Sequence, residues 1–205
     1  MNNLIAASCI FLLSGTLICG QVEITPTDQQ TSIKWGKVSN KNGVRKVEST
    51  EAEYNTHNRH GPITYYHVPF AKGTFSLSWK HNMPQKIALV FETDDKGKPT
   101  HLFKVFVNGT PTKNSPKNDV ISFVTYKNIP GSQKKKVNVT TEKHHAEVGQ
   151  WHKTSVTLTD NLATIRIDEK TFTIKDDSLR NTVIKCGVRH KWGTLETKDV
   201  AIIKN

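Results

Sequence analysis

The acidic run Glu92-Thr93-Asp94-Asp95 holds the carboxylates best spaced for chemistry in this sequence. Glu92 and Asp94 stand two positions apart, so on a β-strand both side chains would project from the same face. Two carboxylates facing one cleft can cleave a glycosidic bond, one as nucleophile and the other as general acid. The turn residues Lys96-Gly97 follow at once, however, and no third acid on the same face reinforces the pair. We therefore expect the charged end of a strand here, with a calcium site as a weaker alternative.

Histidines are the next candidates, because the chain has nine of them. They cluster at His57 and His60 and again at His144, His145 and His152. A zinc site needs three or four converging ligands, and the chain has neither a Cys-x-x-Cys pair nor a His-Glu-x-x-His sequence. The sequence also lacks a phosphate-binding loop, a dinucleotide fingerprint and a nucleophile elbow. We expect most of the histidines to lie at the surface, and we expect no metal ion and no cofactor.

The basic composition indicates an acidic partner. The formal net charge is +11 at pH 7, and the densest basic run is Lys134-Lys135-Lys136. Such a charge suits sulfated or uronate-bearing glycans, cell-wall polymers or nucleic acid, although a merely soluble surface has the same composition. Together with the motifs below, it predicts a carbohydrate partner, with anionic polysaccharides among the candidates, rather than nucleic acid.

The elements that position these residues follow a two-residue period. Phe75, Leu77 and Trp79 alternate with polar residues, and the same alternation marks the segments 87–92, 155–159, 164–168, 171–174 and 184–189. Successive side chains of a strand point to opposite faces, so each segment predicts a strand with one buried and one polar face. About ten short strands separated by turn residues predict an all-β fold, an antiparallel two-sheet β-sandwich of jelly-roll type.

Two segments depart from this alternation. Between His101 and Val107, apolar side chains occur at both odd and even positions, so both faces of a strand here would carry apolar residues. This pattern predicts a strand in the middle of a sheet. Residues 37–61 are polar, and we expect them to form long loops. Cys186 lies on the apolar side of its own alternating segment, so we expect a core residue rather than a nucleophile.

The N-terminus has the composition of a signal peptide. Leu4 to Ile18 is apolar or small throughout, is too short to span a bilayer comfortably, and is followed by the small residue Gly20. Cleavage there leaves one cysteine and no internal disulfide, which suits a secreted or periplasmic bacterial protein. A lipid anchor on Cys19 is an alternative. The expected organisation is a signal peptide at 1–20, a flexible leader at 21–31 and one domain at 32–205.

The stretch Gly149-Gln150-Trp151-His152 opens the most regular hairpin of the sequence. Two alternating segments follow it, closed by the turns Asp160-Asn161 and Asp168-Glu169-Lys170. With the closing run from Gly187 to Ile202, this pattern resembles the concanavalin A-like lectin and glucanase superfamily. Within it, the chain is most similar to the bacterial secreted 3-keto-disaccharide hydrolase domain. The resemblance implies a jelly-roll sandwich, and we expect Trp151 between its sheets rather than as a platform for a sugar ring.

The resemblance also implies a site on the concave sheet, where this superfamily receives glycans. It would place Lys80, Glu92 and Arg189 on that face, with His190 and Trp192 at its rim as ligand-binding residues. If the protein is an enzyme, the implied reaction is hydrolysis of a 3-keto-glycoside. Glu92 would then act as the base, and Arg189 or Lys80 would polarise the ketone.

The closing strands depart from that family at three positions. Arg189, Trp192 and Asp199 stand where the family commonly has Gln, His and Asn. A site with these residues would have changed its ligand chemistry, so catalysis is left open. The alternatives are a non-catalytic, lectin-like module that binds anionic glycans, and an adhesion or structural domain without a small ligand.

Overall fold

A computed structural model describes residues 21–83, 86–107, 120–127 and 135–205. Within these residues the chain forms β-strands, one short α-helix, α1 (Glu51–Thr56), and one 3-10 turn at Asp177–Arg180. The strands are β1 (Val22–Ile24), β2 (Thr31–Ile33), β3 (Lys37–Lys41), β4 (Val44–Ser49), β5 (Ile63–Tyr66), β6 (Gly73–His81), β7 (Ile87–Asp95), β8 (Lys98–Val107), β9 (Val120–Lys127), β10 (Lys135–Lys143), β11 (His152–Thr159), β12 (Leu162–Ile167), β13 (Lys170–Lys175), β14 (Lys185–Arg189) and β15 (Gly193–Lys204).

These strands form two antiparallel sheets. The eight-stranded sheet has the order β13-β12-β11-β6-β15-β4-β3, and β1 also pairs with β15. The seven-stranded sheet has the order β10-β9-β8-β7-β14-β5-β2. The predicted all-β, two-sheet antiparallel sandwich is therefore confirmed. The prediction that His101 to Val107 is an interior strand is confirmed as well, because β8 lies between β7 and β9.

The core between the sheets contains the residues that the alternation predicts. Phe75 of β6 meets Phe91 of β7 edge to face, with ring centroids 5.8 Å apart. Trp79 is fully buried, and its indole Nε1 donates a hydrogen bond of 2.8 Å to Thr154 Oγ1. Cys186 is also fully buried, as predicted for a core residue, and it forms no disulfide within the described residues. Each large apolar side chain buried in this way contributes about 1.5–3 kcal/mol to folding.

The outer face of the seven-stranded sheet is also partly covered. Ile63, Tyr65, Ala88 and Val90 are buried in a second apolar cluster, with Phe106 packed against it. The alternation assigned Ala88, Val90 and Glu92 to a polar face, and this part of the prediction is wrong because all three are buried. Parity identifies the two faces of a strand, but it does not show whether a loop covers the second one.

Residues 37–61 form regular structure instead of the expected long loops. The strands β3 and β4 make a hairpin whose two turn residues, Asn42 and Gly43, have φ values of 51° and 74°. Helix α1 begins at a capping box, in which Thr50 Oγ1 accepts from the Glu53 N–H and the Glu53 carboxylate accepts from the Thr50 N–H. A helix of six residues is too short to show a helical period in the sequence.

The folded domain also begins earlier than expected. Val22–Ile24, inside the predicted leader, forms β1 and pairs with the end of β15, with Val22 opposite Lys204. The sheet pairing therefore moves the start of the folded domain from the predicted residue 32 to β1. The predicted signal peptide and Cys19 lie outside the described residues, and so does Lys134. Among the described residues, no helix has the length and apolar character to cross a bilayer.

Candidate functional site

A cavity of about 330 Å³ lies on the outer face of the seven-stranded sheet. Four strands of that sheet contribute Tyr65, Glu92, Lys104 and Arg189 to its lining. The segment before β3 contributes Lys34 and Trp35, and the segment after α1 contributes residues between His57 and Gly61. Part of the cavity, residues His57 to Gly61, therefore comes from the segment that the sequence assigns to loops.

Glu92 lies at the centre of a hydrogen-bonded network in this cavity. Its Oε1 accepts a 2.6 Å hydrogen bond from the Tyr65 hydroxyl and lies 3.4 Å from His101 Nδ1. Its Oε2 lies 3.1 Å from Lys185 Nζ. Burial alone would raise the pKa of Glu92, but the contacts with His101, Tyr65 and Lys185 outweigh it and lower this pKa to about 2. Glu92 is thus a carboxylate at neutral pH and a weak proton acceptor.

Gly187 makes room for the Tyr65 side chain in this network. It lies on β14, between Tyr65 of β5 and Val90 of β7. A Cβ at Gly187 would stand 3.1 Å from Tyr65 Cδ1 and 2.3 Å from the Thr64 carbonyl oxygen. The absence of a side chain therefore lets the tyrosine ring lie across β14 and reach Glu92 two strands away.

Two cationic groups in the cavity have no polar partner among the described residues. In the part of the chain that the structure describes, neither Arg189 nor Lys104 forms a hydrogen bond or an ion pair, although the Lys104 Nζ lies 5.2 Å from the Tyr126 ring centroid. Lys104 is only 7% exposed. Burial first, and the charge of Arg189 second, lower its pKa to about 8. Burial also lowers the pKa of Arg189.

The electrostatic balance of the cavity favours an anion. Glu92 is its one lining carboxylate among the described residues, and Lys185 already pairs with it. The positive charges of Lys34, Lys104 and Arg189 then have no counter-charge in the lining. A guanidinium presents a planar fork that matches carboxylate or sulfate oxygens. The arrangement can therefore bind an anionic group and hold it beside a fixed carboxylate.

An aromatic surface stands at the edge of the same cavity. Trp35 is partly exposed and stacks on His57, with ring centroids 4.3 Å apart and an interplanar angle of 17°. An indole held in place in this way offers a flat apolar surface beside polar groups, which suits a saccharide ring. Sequence reasoning missed Trp35, because it lies in a short connection between two strands and belongs to no repeating pattern.

Lys104 and Tyr65 were missed for different reasons. Lys104 is the charged residue within the apolar run His101 to Val107, and a lone cation in an interior strand is a usable sign of a site. Tyr65 sits in Ile63-Thr64-Tyr65-Tyr66, where every residue is buried and no alternation separates the two faces. Its role depends on the space at Gly187, which no local pattern reveals.

The structure brings together two of the three predicted catalytic residues. Glu92 and Arg189 both line the cavity, as expected for one sheet face. Lys80 lies on β6 of the other sheet, where its Nζ is 2.9 Å from Glu196 Oε2, so its predicted place beside them is wrong. The alternation placed Lys80 and Glu92 each on the outward face of its own strand. The consecutive strands β6 and β7 belong to opposite sheets, however, so the two side chains do not share a face.

His190 and Trp192 do not line this cavity. His190 is 2% exposed, with its Nε2 lying 3.3 Å from the Gly193 carbonyl oxygen, and burial lowers its pKa to about 4. Trp192 packs against Tyr54 of α1, with ring centroids 5.1 Å apart, and the Lys191 ammonium lies 3.9 Å from its ring centroid. The predicted rim position is wrong for His190, and Trp192 supports the helix next to the cavity.

Several other histidines also differ from the sequence expectation. His81, His144 and His152 are buried, so they are not among the surface histidines that the sequence predicts. His152 Nδ1 lies 2.8 Å from Asp168 Oδ2, and its Nε2 lies 2.9 Å from the Glu147 carbonyl oxygen. Within the described ranges, no group of three or more His, Cys, Asp or Glu residues converges on a metal position.

The core position expected for Trp151 is wrong. This residue is 37% exposed and lies on the outer side of the eight-stranded sheet, near the ammonium groups of Lys80 and Lys198. Trp79, on the neighbouring strand, fills the core instead, and its ring centroid lies 4.6 Å from that of His152, with the two rings tilted by 33°.

No protein family and no curated protein matches this sequence, so the resemblance to the 3-keto-disaccharide hydrolase domain is not confirmed. Solved structures do match the fold. The β-glucanase of Bacillus licheniformis is 9% identical, with a TM-score of 0.60 over 91% of this chain and 98% of that one.

Two carbohydrate-binding modules match in the same way. The CBM66 module of Bacillus subtilis is 12% identical, with a TM-score of 0.51 over 86% of this chain and 92% of that one. The CBM2 module of the evolved Dit protein from Lactobacillus casei BL23 phage J-1 is 14% identical, with a TM-score of 0.54 over 86% and 90%. At such identities the likeness shows the fold alone, which is the predicted two-sheet antiparallel sandwich of jelly-roll type.

Proposed function

We propose that this protein is a secreted carbohydrate-binding domain that holds an anionic saccharide in the cavity on the seven-stranded sheet. The observation that carries this proposal is the pair Arg189 and Lys104, which have no polar partner among the described residues. A buried cation without a partner is costly in the free protein, so it favours an anionic ligand. The carbohydrate-binding modules with the same fold support the class of ligand.

Each group in the cavity has a distinct role in this proposal. Arg189 pairs with a carboxylate or sulfate through two parallel N–H donors, and Lys104 supplies a second charge. Glu92, fixed by Tyr65 and Lys185, accepts a hydrogen bond from a ring hydroxyl. Trp35 stacks against the apolar face of the sugar.

Binding is favoured over hydrolysis of a 3-keto-glycoside. A base is most effective when its pKa lies near the working pH, and the pKa of Glu92 is lowered to about 2. Lys80, one of the two groups expected to polarise the ketone, lies on the other sheet. Turnover of 3-keto-trehalose by the purified protein would restore the catalytic alternative.

Export from the cell belongs to the same proposal. The apolar run from Leu4 to Ile18, followed by Gly20, is its support in the sequence. A polymer of sulfated or uronic sugars is an extracellular ligand, so the expected location and the expected ligand agree.

Calorimetric titration with a uronate oligosaccharide, a sulfated oligosaccharide and a neutral one of equal length tests the function. We expect the anionic ligands to bind more tightly, and Arg189→Ala to weaken them by about tenfold or more. Arg180→Ala is the matched control, because Arg180 is an exposed arginine far from the cavity lining. Equal affinity for charged and neutral ligands, or equal effects of the two arginine variants, would reject the proposal.

A further inference from the structure

Trp151 stands at the surface of the sheet that is not used by the cavity. It is one of the exposed large apolar residues of the described chain, although it directly precedes the buried strand β11. The ammonium groups of Lys80 and Lys198 lie 5.0 Å and 4.7 Å from its ring centroid. These contacts hold the indole in one orientation, so a ligand that stacks on it loses little side-chain entropy.

A groove of about 600 Å³ lies on the same outer face of the eight-stranded sheet. Strands β6 and β11 contribute the hydroxyl groups of Ser76, Ser78 and Ser155. Asp168 and Asp199 contribute carboxylates from two other strands or turns of the sheet. Hydroxyl and carboxylate groups of this kind exchange hydrogen bonds with the ring hydroxyls of a sugar.

Asp199 reaches the groove through an irregularity in β15. The pairing of β15 with β6 shifts between Lys198 and Ala201, and Asp199 has a φ of 51°. Its Oδ2 accepts a 3.0 Å hydrogen bond from Ser78 Oγ. Bulges re-aim side chains, and a left-handed residue that is not glycine is a sign of local constraint. The bulge thus directs a carboxylate into a groove floored by serines.

The charge of this groove differs from that of the cavity. Its lining contains the cations Lys153 and Arg166 and the anions Asp168, Glu169 and Asp199. Lys80, which contacts Trp151, is paired with Glu196 at 2.9 Å. Positive and negative groups are therefore nearly balanced, so the groove offers little attraction to a polyanion.

We infer that this outer face is a second saccharide site, which takes a neutral oligosaccharide along the groove with one ring stacked on Trp151. The inference stands on Trp151, the groove and the Asp199 bulge, and it does not depend on the anionic site in the cavity. It assigns a ligand class to the tryptophan that the sequence places in the core.

The test follows the indole N–H resonances of the four tryptophans by NMR during titration with neutral hexasaccharides of β-1,3-glucan, β-1,4-glucan, xylan and mannan. We expect at least one of them to shift the Trp151 resonance at millimolar concentration or below. Trp151→Ala identifies that resonance and lowers affinity by about tenfold. Asp199→Asn, which keeps a side chain compatible with a positive φ, lowers affinity as well.

Two controls separate this site from the cavity and from loss of folding. Val148→Ala removes another exposed apolar side chain of the same connection and should leave binding unchanged. Arg189→Ala should leave the Trp151 shift unchanged even where it abolishes anion binding. The inference is overturned if no neutral hexasaccharide moves the Trp151 resonance, if only anionic ligands do, or if Trp151→Ala binds like the wild type.

Discussion

The Tyr65 hydroxyl lies 2.6 Å from Glu92 Oε1, although the two residues belong to strands that do not pair with each other. Strand β14 separates them, and Gly187 is the point at which the tyrosine ring crosses it. This relationship fixes the carboxylate and leaves the neighbouring cations free to bind a ligand. This contact therefore depends on three strands, and a methyl group added at Gly187 would disturb it.

Gly187→Ala should separate Tyr65 from Glu92. The added Cβ would clash with the Thr64 carbonyl oxygen and crowd the tyrosine ring, so we expect a loss of about 1–3 kcal/mol in the free energy of unfolding. Urea denaturation measures this loss. Tyr65→Phe is the matched variant, because it keeps the packing and removes the hydroxyl. It should raise the pKa of Glu92, measured by carboxyl-carbon NMR; an unchanged pKa would show that the hydroxyl does not stabilise the carboxylate.

Lys104→Met should stabilise the free protein and weaken its binding of anions. The variant replaces a buried, unpaired ammonium with an apolar side chain of similar length, so we expect a gain of about 1–3 kcal/mol in the free energy of unfolding. Thermal denaturation and titration with a uronate oligosaccharide measure the two effects. Lys175→Met, on the exposed side of β13, should change neither. A destabilised Lys104→Met protein would contradict the assignment of Lys104 as a cation held for a ligand.

Acid should destabilise the fold through His190. Its pKa is about 4 in the folded protein because of burial, against 6.5 for an ordinary histidine. The unfolded chain therefore binds a proton first, and stability falls as pH decreases from about 6.5 to about 4. The loss from this one residue is roughly 3 kcal/mol. Urea denaturation at a series of pH values checks it, and His190→Gln should flatten the profile over this window. A parallel profile in the variant would assign the acid sensitivity to other groups, such as His81 and His144, whose pKa values are also lowered by burial.

The basic run Lys134-Lys135-Lys136 should act differently from Arg189. Replacing the three lysines with glutamine should weaken the binding of many anionic polymers alike, and should reduce its dependence on salt. Arg189→Ala should instead change which anionic sugar is preferred, because the guanidinium pairs with oxygens in a fixed geometry. Binding measured at low and high salt for heparin-like and uronate polymers distinguishes the two. If both variants changed the preference among anionic sugars in the same way, the proposed difference between the lysine run and Arg189 would be wrong.

Alternation predicted the sandwich because strands such as β6 and β11 have one buried and one exposed face. The burial patterns of Phe75, Leu77 and Trp79 follow it directly. The same rule failed for Val90 and Glu92, since the chain around Trp35 and His57 covers their face. It placed Lys80 wrongly because parity assigns a side chain to a face and does not say which sheet carries the strand. These parts depend on contacts between segments that are distant in sequence.

The type of a residue predicted its burial less well than its position in the alternating pattern. Trp79 lies within β6 and Trp151 directly precedes the neighbouring strand β11, and the register of β11 against β6, with His152 opposite Trp79, decides which of the two is buried. Cys186 was predicted correctly because its neighbours in β14 share its apolar side. The cavity was predicted in part. Glu92 and Arg189 were identified as site residues from the sequence, whereas Lys104 and Tyr65 could be assigned only from the order of the strands in the sheet.

The position of β15 also constrains how the protein comes to be folded. This strand lies between β6 and β4 and holds β1, yet the ribosome makes it after every other described strand. An elongating chain therefore lacks the middle of its eight-stranded sheet and cannot close the core until Gly193–Lys204 has emerged. A truncation that removed β15 would therefore leave the eight-stranded sheet as two unjoined halves, one ending at β6 and the other at β4.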